Sequence, residues 1–248
     1  MKKLLVVLAF GLFAVGWAQG PSLPEVRRTQ RSRWKSVFDS RGIAYPPAGL
    51  LIRVFKEERQ VELWAQGVPA TAYRLLKTYA VTAASGEPGP KRKEGDRQVP
   101  EGVYAICSLN PRSRYRLSLR LNYPNASDRI LSDAKRPGGD IFIHGKASSI
   151  GCVAIGDRAI EEVYTLVEDL WNRRGVWPQV HIFPCRMEGR AWRKLTAEYR
   201  ADHDRHAFWG SLKPIYDAFE KSRLLPTVRV NKKGMYTVVG RQGGRGPS

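Results

Sequence analysis

The chain has 248 residues, a net charge of +19 at pH 7, a 42% hydrophobic share and three cysteines. That length and apolar share suit one domain with appendages around a sizeable core. So few cysteines exclude a disulfide scaffold, and the basic excess points to polyanions.

Met1–Lys3 supplies a positive start, Leu4–Val15 is almost wholly apolar, and Gly16-Trp17-Ala18 places small residues where a signal peptidase reads. This pattern predicts a secretory signal over residues 1–18, too short for a stable membrane span; an uncleaved anchor is the other reading. No cysteine follows the apolar run, which argues against lipid attachment. The mature chain is expected outside the cytoplasm, in the periplasm or cell envelope. There, anionic envelope polymers or membrane surfaces replace nucleic acid as partners of the basic field, the alternative being a solvated surface with no specific partner.

Residues 19–46 read as a helical lead-in. Trp34, Val37 and Phe38 share one face of a helix over Thr29–Ser40 that ends near Gly42, and Pro46-Pro47 marks a boundary. From Leu50 the texture changes to short β-rich runs at 50–55, 60–65, 73–84, 102–109, 114–123 and 140–145. Arg114–Tyr123 alternates polar with apolar residues, as a half-buried strand does. The close spacing predicts an antiparallel sheet rather than βαβ units. Ser85–Gly102 is glycine-rich and basic, but its spacing is not that of a P-loop and its prolines remove backbone donors. It reads as a long, rigidified surface loop.

After an expected N-cap at Asp157, Ile160, Val163, Tyr164, Val167, Leu170 and Trp171 recur at helical spacing until Gly175. Residues 178–184 follow as a buried strand. Phe208, Trp209, Leu212, Ile215, Tyr216 and Phe219 form a second helical stripe, in which Pro214 must take a first turn or make a kink. Residues 239–248 read as a disordered tail.

Candidate chemistry is sparse. His203 and His206 could hold a metal on one helical turn, but no third ligand stands at an evident spacing, so a solvated helix start is preferred. His181 reads as a strand histidine. Cys107 and Cys185 could bridge, although two reduced thiols packed in the core are the expected state. Ile143–Asp157, IHGKASSIGCVAIGD, brings His144 and Cys152 into one short segment, each beside a glycine. A thiol titrates near ~8.5 and needs a cationic neighbour to ionise at neutral pH. An imidazole can supply it, giving a thiolate–imidazolium pair that later protonates a leaving amine. Gly145 and Gly151 would let backbone N–H groups approach a reacting carbonyl. On spacing alone, a buried cysteine in a core strand stands as the alternative.

The stretch IFIHGKASSIGCVAIGD resembles the active-site segment of L,D-transpeptidase (YkuD-type) catalytic domains, in their YafK-like, murein-modifying branch. IRVFKEERQVELW, SGEPGPKRKEGDRQVPEGVY, LRLNYPNASD and QVHIFPCRM fall in the order of that branch, and FWGSLKPIYDAFE with GMYTV resembles its C-terminal extension. The resemblance runs from Arg33 to Tyr236. It implies an α+β, mainly β fold: a curved sheet or β-sandwich with one packed helix and a helical C-terminal extension. Residues 47–187 would be the catalytic domain and 188–238 the extension.

The same resemblance implies Cys152 as nucleophile, His144 as its base, and Gly145 as the residue whose carbonyl orients the ring. Ser149 is the serine of Ser-x-Gly-Cys, and Gly151 and Cys152 would supply oxyanion N–H groups. Lys91 and Asp96 would contact substrate from a loop beside the cleft. Ile150 and Ala154 replace a histidine and an arginine of the commoner branch, removing polar groups near the substrate. The implied activity is cysteine acyl transfer on peptidoglycan stem peptides, resolved by an amine acceptor or by water, with a wall-attached protein as a further partner. No metal, organic cofactor or nucleic acid is required. A non-catalytic wall-binding module using the positive field is the rival from another class.

Overall fold

The structure, a computed structural model, describes residues 20–241. The expected signal over residues 1–18 and the last part of the expected tail lie outside the described residues.

Helix α1 (Leu23–Asp39) starts earlier than its apolar stripe indicates, because Ser22 and Glu25 form a capping box and Pro24 fits the first turn. Strands β1 (Gly49–Phe55), β2 (Gln60–Gln66) and β3 (Arg74–Ala80) follow as a meander, then β4 (Gly102–Asn110) and β5 (Ser118–Leu121). A short α2 (Ala126–Leu131) leads to β6 (Phe142–His144), β7 (Val153–Ala154), α3 (Asp157–Arg174) and β8 (Gln179–Phe183). Helices α4 (Gly189–Glu198) and α5 (His203–Ser222) and the hairpin β9 (Pro226–Val230)–β10 (Tyr236–Arg241) complete the chain.

Eight strands form one sheet in the order β3-β2-β1-β8-β4-β5-β6-β7, and the fold is mixed α+β. The sheet is not purely antiparallel as the spacing predicted. β8 returns beside β1 in parallel after α3 has crossed the sheet, and β7 runs parallel to β6. Strand β4 spans two partners: Gly102–Ala105 pair with β8, and Ile106–Asn110 with β5. The register shifts between Ile106 and Ser108, so Cys107 is the extra residue of a bulge, a device that bends a strand. Cys107 is consequently exposed, contrary to the expected core packing, whereas Cys185 is buried; both are free thiols.

The main core lies between the sheet, α3 and α1. All of the expected α3 stripe is buried except Trp171, which stacks on Trp177 with ring centroids 4.0 Å apart. Gly175 ends α3 in the left-handed conformation, as expected. At the other end the N-cap is Gly156 rather than Asp157, whose carboxylate is engaged elsewhere, as described below.

A second core packs Phe55 and Phe183 against Phe208, Trp209, Leu212 and Tyr216 of α5. Pro214 sits inside α5 rather than in a first turn. The carbonyl it deprives of a donor belongs to Gly210, where no side chain adds crowding. The extension is not wholly helical: Val228, Val230 and Val238 build a hairpin against α5, closed by a turn with Gly234 at φ 77°. Residues 239–241, expected in a disordered tail, belong to β10.

Candidate active site

His144 ends β6, and Cys152 immediately precedes β7. Register pairs His144 with Ala154, which places Cys152 opposite Phe142. Side chains alternate across a strand, so residues 142 and 144 share a face with 152 and 154. His144 and Cys152 are therefore diagonal neighbours on one face, and both line a cavity of about 200 Å3 with Asn110, Ser113, Arg114, Tyr115, Ser118 and Phe142. Parallel strands ordinarily need a crossover of roughly a dozen residues or more. Here residues 145–152 suffice, with Lys146 at φ 58° and Gly151 at φ 99° making the turns.

The histidine's tautomer follows from one contact. Nδ1 lies 2.6 Å from the Gly145 carbonyl. A carbonyl oxygen only accepts, so Nδ1 carries the proton and Nε2 keeps its lone pair. Burial pushes the imidazole below its ordinary value, partly opposed by this hydrogen bond. The Tyr115 ring lies 4.6 Å away, centroid to centroid, at 41°.

Gly145 is required by close approach. A Cβ there would stand 2.6 Å from Asp157 Oδ1 and 2.7 Å from the Tyr115 carbonyl. Asp157 instead accepts the Lys146 N–H at 2.7 Å, which explains why its carboxylate does not cap α3. Thr82 Oγ1 holds the Lys146 carbonyl at 2.7 Å.

Cys152 differs from the expected ion pair. Burial pushes its thiol up, a hydrogen bond from the Phe142 N–H works against this, Asp140 raises it and Lys91 lowers it. The S–H points to the Asp140 carbonyl at 3.7 Å. The resting pair is therefore a neutral thiol beside a neutral imidazole, because a partly buried site penalises both charges.

The Ser149 hydroxyl donates to the Cys152 carbonyl at 2.6 Å and so fixes the peptide around Cys152. The Gly151 N–H, expected to face a reacting carbonyl, is occupied by Ser85 Oγ at 2.7 Å. Within the loop and ladder, the Cys152 N–H has no acceptor among the described residues. Gly151 also needs its missing side chain, since a Cβ would meet the Gln98 carbonyl at 3.0 Å. The loop over residues 85–102 thus rests directly on the turn that carries Cys152.

That loop is organised by Asp96, which accepts Lys91 Nζ at 2.5 Å and the N–H groups of Arg92, Lys93 and Gln98. Burial raises the Asp96 carboxyl, but these donors outweigh it and the net direction is down. Lys91 is buried and paired inward, so the two residues structure the loop in this state instead of pointing from it. Ile150 is 75% exposed, whereas Ala154 is fully buried.

His203 and His206 are not brought together with other ligands; His206 Nε2 lies 2.9 Å from the Thr196 carbonyl. Among the described residues no cluster of three or more metal-ligating side chains occurs, and no helix is long and apolar enough to cross a membrane. His181 is fully buried, its Nε2 3.1 Å from Gln179 Oε1, and desolvation and Arg53 push it down to about 3. Tyr115, Ser118 and Asp157 were missed by sequence reasoning. Tyr115 and Ser118 lie outside the His–Cys segment, and Asp157, its last residue, read only as a helix cap.

Residues 50–211 match the family model of the YkuD L,D-transpeptidase catalytic domain. The chain belongs to the L,D-transpeptidase family. It is also 36% identical over 189 residues to YafK of Escherichia coli strain K12, whose name carries the L,D-transpeptidase label provisionally; the match covers 75% of this chain and 72% of YafK. YafK of E. coli O157:H7 matches to the same extent. Among solved structures, the helical cell shape determining protein Pgp2 of Campylobacter jejuni aligns with a TM-score of 0.47 at 16% identity, covering 78% of this chain and 91% of Pgp2. Bd1075 of Bdellovibrio bacteriovorus aligns with a TM-score of 0.40 at 21% identity, over 57% of this chain and 50% of its own. Membership places the L,D-transpeptidase domain of this chain in an enzyme family concerned with peptidoglycan.

Proposed function

We propose that the protein is an exported cysteine acyl-transfer enzyme that acts on peptidoglycan stem peptides. The observation that carries this reading is the Nδ1–Gly145 hydrogen bond, which leaves His144 Nε2 unprotonated in the cavity that also receives Cys152. A neutral pair suits a reaction in which proton transfer accompanies attack. Nε2 takes the S–H proton as sulfur adds to the stem-peptide carbonyl. The developing oxyanion is met by the Cys152 N–H, and collapse of the tetrahedral species passes the proton from Nε2 to the leaving amine. A thioester remains. An amine or water then attacks it, loses its proton to Nε2, and the thiol is restored.

Hydrolysis, including release of a wall-attached protein, is favoured over transfer by Ile150 and Ala154. Ile150 projects into solvent instead of covering the thioester, and Ala154 offers no polar atom to orient an amine. An acyl-enzyme that avoids water needs a closed site. The N-terminal apolar run supports export. The test is mass spectrometry of defined cross-linked and protein-linked muropeptides, with and without excess amine. Both reactions should vanish in Cys152→Ala; survival of either in that variant rejects the nucleophile, and a dominant amine-linked product at low acceptor rejects the hydrolytic preference.

A further inference from the structure

The loop over residues 111–117 connects β4 to β5 and covers the catalytic histidine from above. Its inner side is clamped by backbone: the Gly145 N–H donates to the Tyr115 carbonyl at 3.0 Å and approaches that of Leu117 at 3.4 Å. Arg116 Cβ lies 3.0 Å from where a Gly145 side chain would begin. Successive side chains then point opposite ways. Tyr115 turns in over His144, and Arg116, at φ 73°, turns out.

The outward arginine is held at three points. Its Nε donates to Glu161 Oε1 of α3 at 2.7 Å, and Nη2 lies 2.7 Å from the same oxygen as an ion pair. Nη2 also donates to the Pro21 carbonyl at 2.5 Å, and a Cβ on Gly20 would stand 3.3 Å from Nη1. Glu161 is buried, so the pair is shielded from solvent more than an ordinary surface bridge. Arg114 and Tyr115 beside it are exposed. We infer that Arg116 is a positioning residue through which α3 and the segment Gly20–Ser22 hold Tyr115 against His144.

This inference rests on the acyl-transfer reading and extends it to the segment Gly20–Ser22. The residues that follow the apolar N-terminal run contact the catalytic base at one remove, so their order and the base's environment are coupled. A guanidinium suits the role because its planar fork spans a carboxylate and a carbonyl at once. The ionisable groups around His144 are Cys152 from the β7 side, Arg114 and Tyr115 from the loop, Asp157 from α3, and Arg116 behind Tyr115.

The experiment uses the full chain with Arg116→Ala, Arg116→Lys and a deletion of Gly20-Pro21. Each is followed by kcat/KM on a small stem peptide against pH, by Cys152 alkylation against pH, and by melting temperature. Arg116→Ala should lower kcat/KM by about tenfold. Its acid limb should move up in pH, because water admitted to His144 relieves the desolvation that holds the imidazole down. Lysine keeps the charge but not the fork and should fall between alanine and the parent. The deletion removes no charge and should move the limb in the same direction by less. An unmoved limb in both Arg116→Ala and the deletion overturns the inference, including the case where only the melting temperature falls. A parent enzyme whose acid limb survives His144→Ala defeats the acyl-transfer assignment instead.

Discussion

At the residue scale, the neutral state of Cys152 sets an order of reactivity. Cys107 is exposed on its bulge, Cys152 lies part-buried with its thiol pushed up, and Cys185 is buried and pushed up to about 12. Iodoacetamide at pH 7 should therefore label Cys107 first, Cys152 second and Cys185 last in the folded protein, read by peptide mass mapping. Labelling of Cys152 should accelerate as pH rises past the ordinary thiol range and slow in His144→Ala. A Cys152 that reacts fastest in mild acid would restore the ion pair that the sequence suggested. Gly145 gives a second test. Alanine there forces backbone and carboxylate apart at 2.6–2.7 Å, a steric conflict worth roughly 1–3 kcal/mol. Urea denaturation should show that loss, with activity falling further because the carbonyl that sets the His144 tautomer moves.

At the scale of elements, the loop over residues 85–102 behaves as one unit tied to Asp96. Asp96→Ala leaves the buried Lys91 ammonium without its carboxylate, which costs about 3 kcal/mol for a charge stranded in this way. Chemical denaturation measures the loss, and the loop's contact with Gly151 predicts reduced turnover alongside it. The pH dependence has a definite sign. The folded Asp96 carboxyl lies below its ordinary 3.8, so its contribution is present above that value and is lost as pH falls through the folded value. A melting curve that weakens instead between pH 5 and pH 8 on account of Asp96 would contradict this. The tight β6–β7 crossover is a second unit, held by Asp157, Thr82 and Ser85 from three other places in the chain.

At the scale of the whole molecule, Glu101 joins parts distant in sequence. Fully buried, it accepts Lys56 Nζ at 2.9 Å, the Gly89 N–H at 2.8 Å and Trp209 Nε1 at 2.7 Å. Helix α5 is thus tied directly to the strands of the main sheet. Truncation after Glu198 should expose Phe55 and Phe183 and yield aggregated protein, checked by solubility and light scattering; a soluble, active truncate would show that the second core is dispensable. The charge of +19 acts on a longer range. Raising salt should weaken adsorption to isolated cell wall while turnover of a small soluble peptide stays nearly constant, since screening acts over ~10 Å at 0.1 M. Parallel loss of both would place the cations inside the site.

The sequence by itself determined what local pattern can encode. The α3 stripe with its Gly175 stop, the α5 stripe, most strands and the His144–Cys152 segment are legible because periodicity and glycine placement are properties of neighbouring residues. It also carried the family, through a run of motifs in order. Only the tertiary structure decided which strands run parallel, since β1 meets β8 across more than a hundred residues of chain and register is a contact, not a pattern. The same holds for the C-terminal hairpin, whose valines become a strand pair by packing on α5. It holds for the site as well. Whether Cys152 is thiol or thiolate depends on burial and on what faces the sulfur, and whether the Gly151 N–H is available depends on Ser85 arriving from another loop. Tyr115 over His144, and Arg116 reaching back to Pro21, exist only because the folded chain brings residues far apart in sequence together.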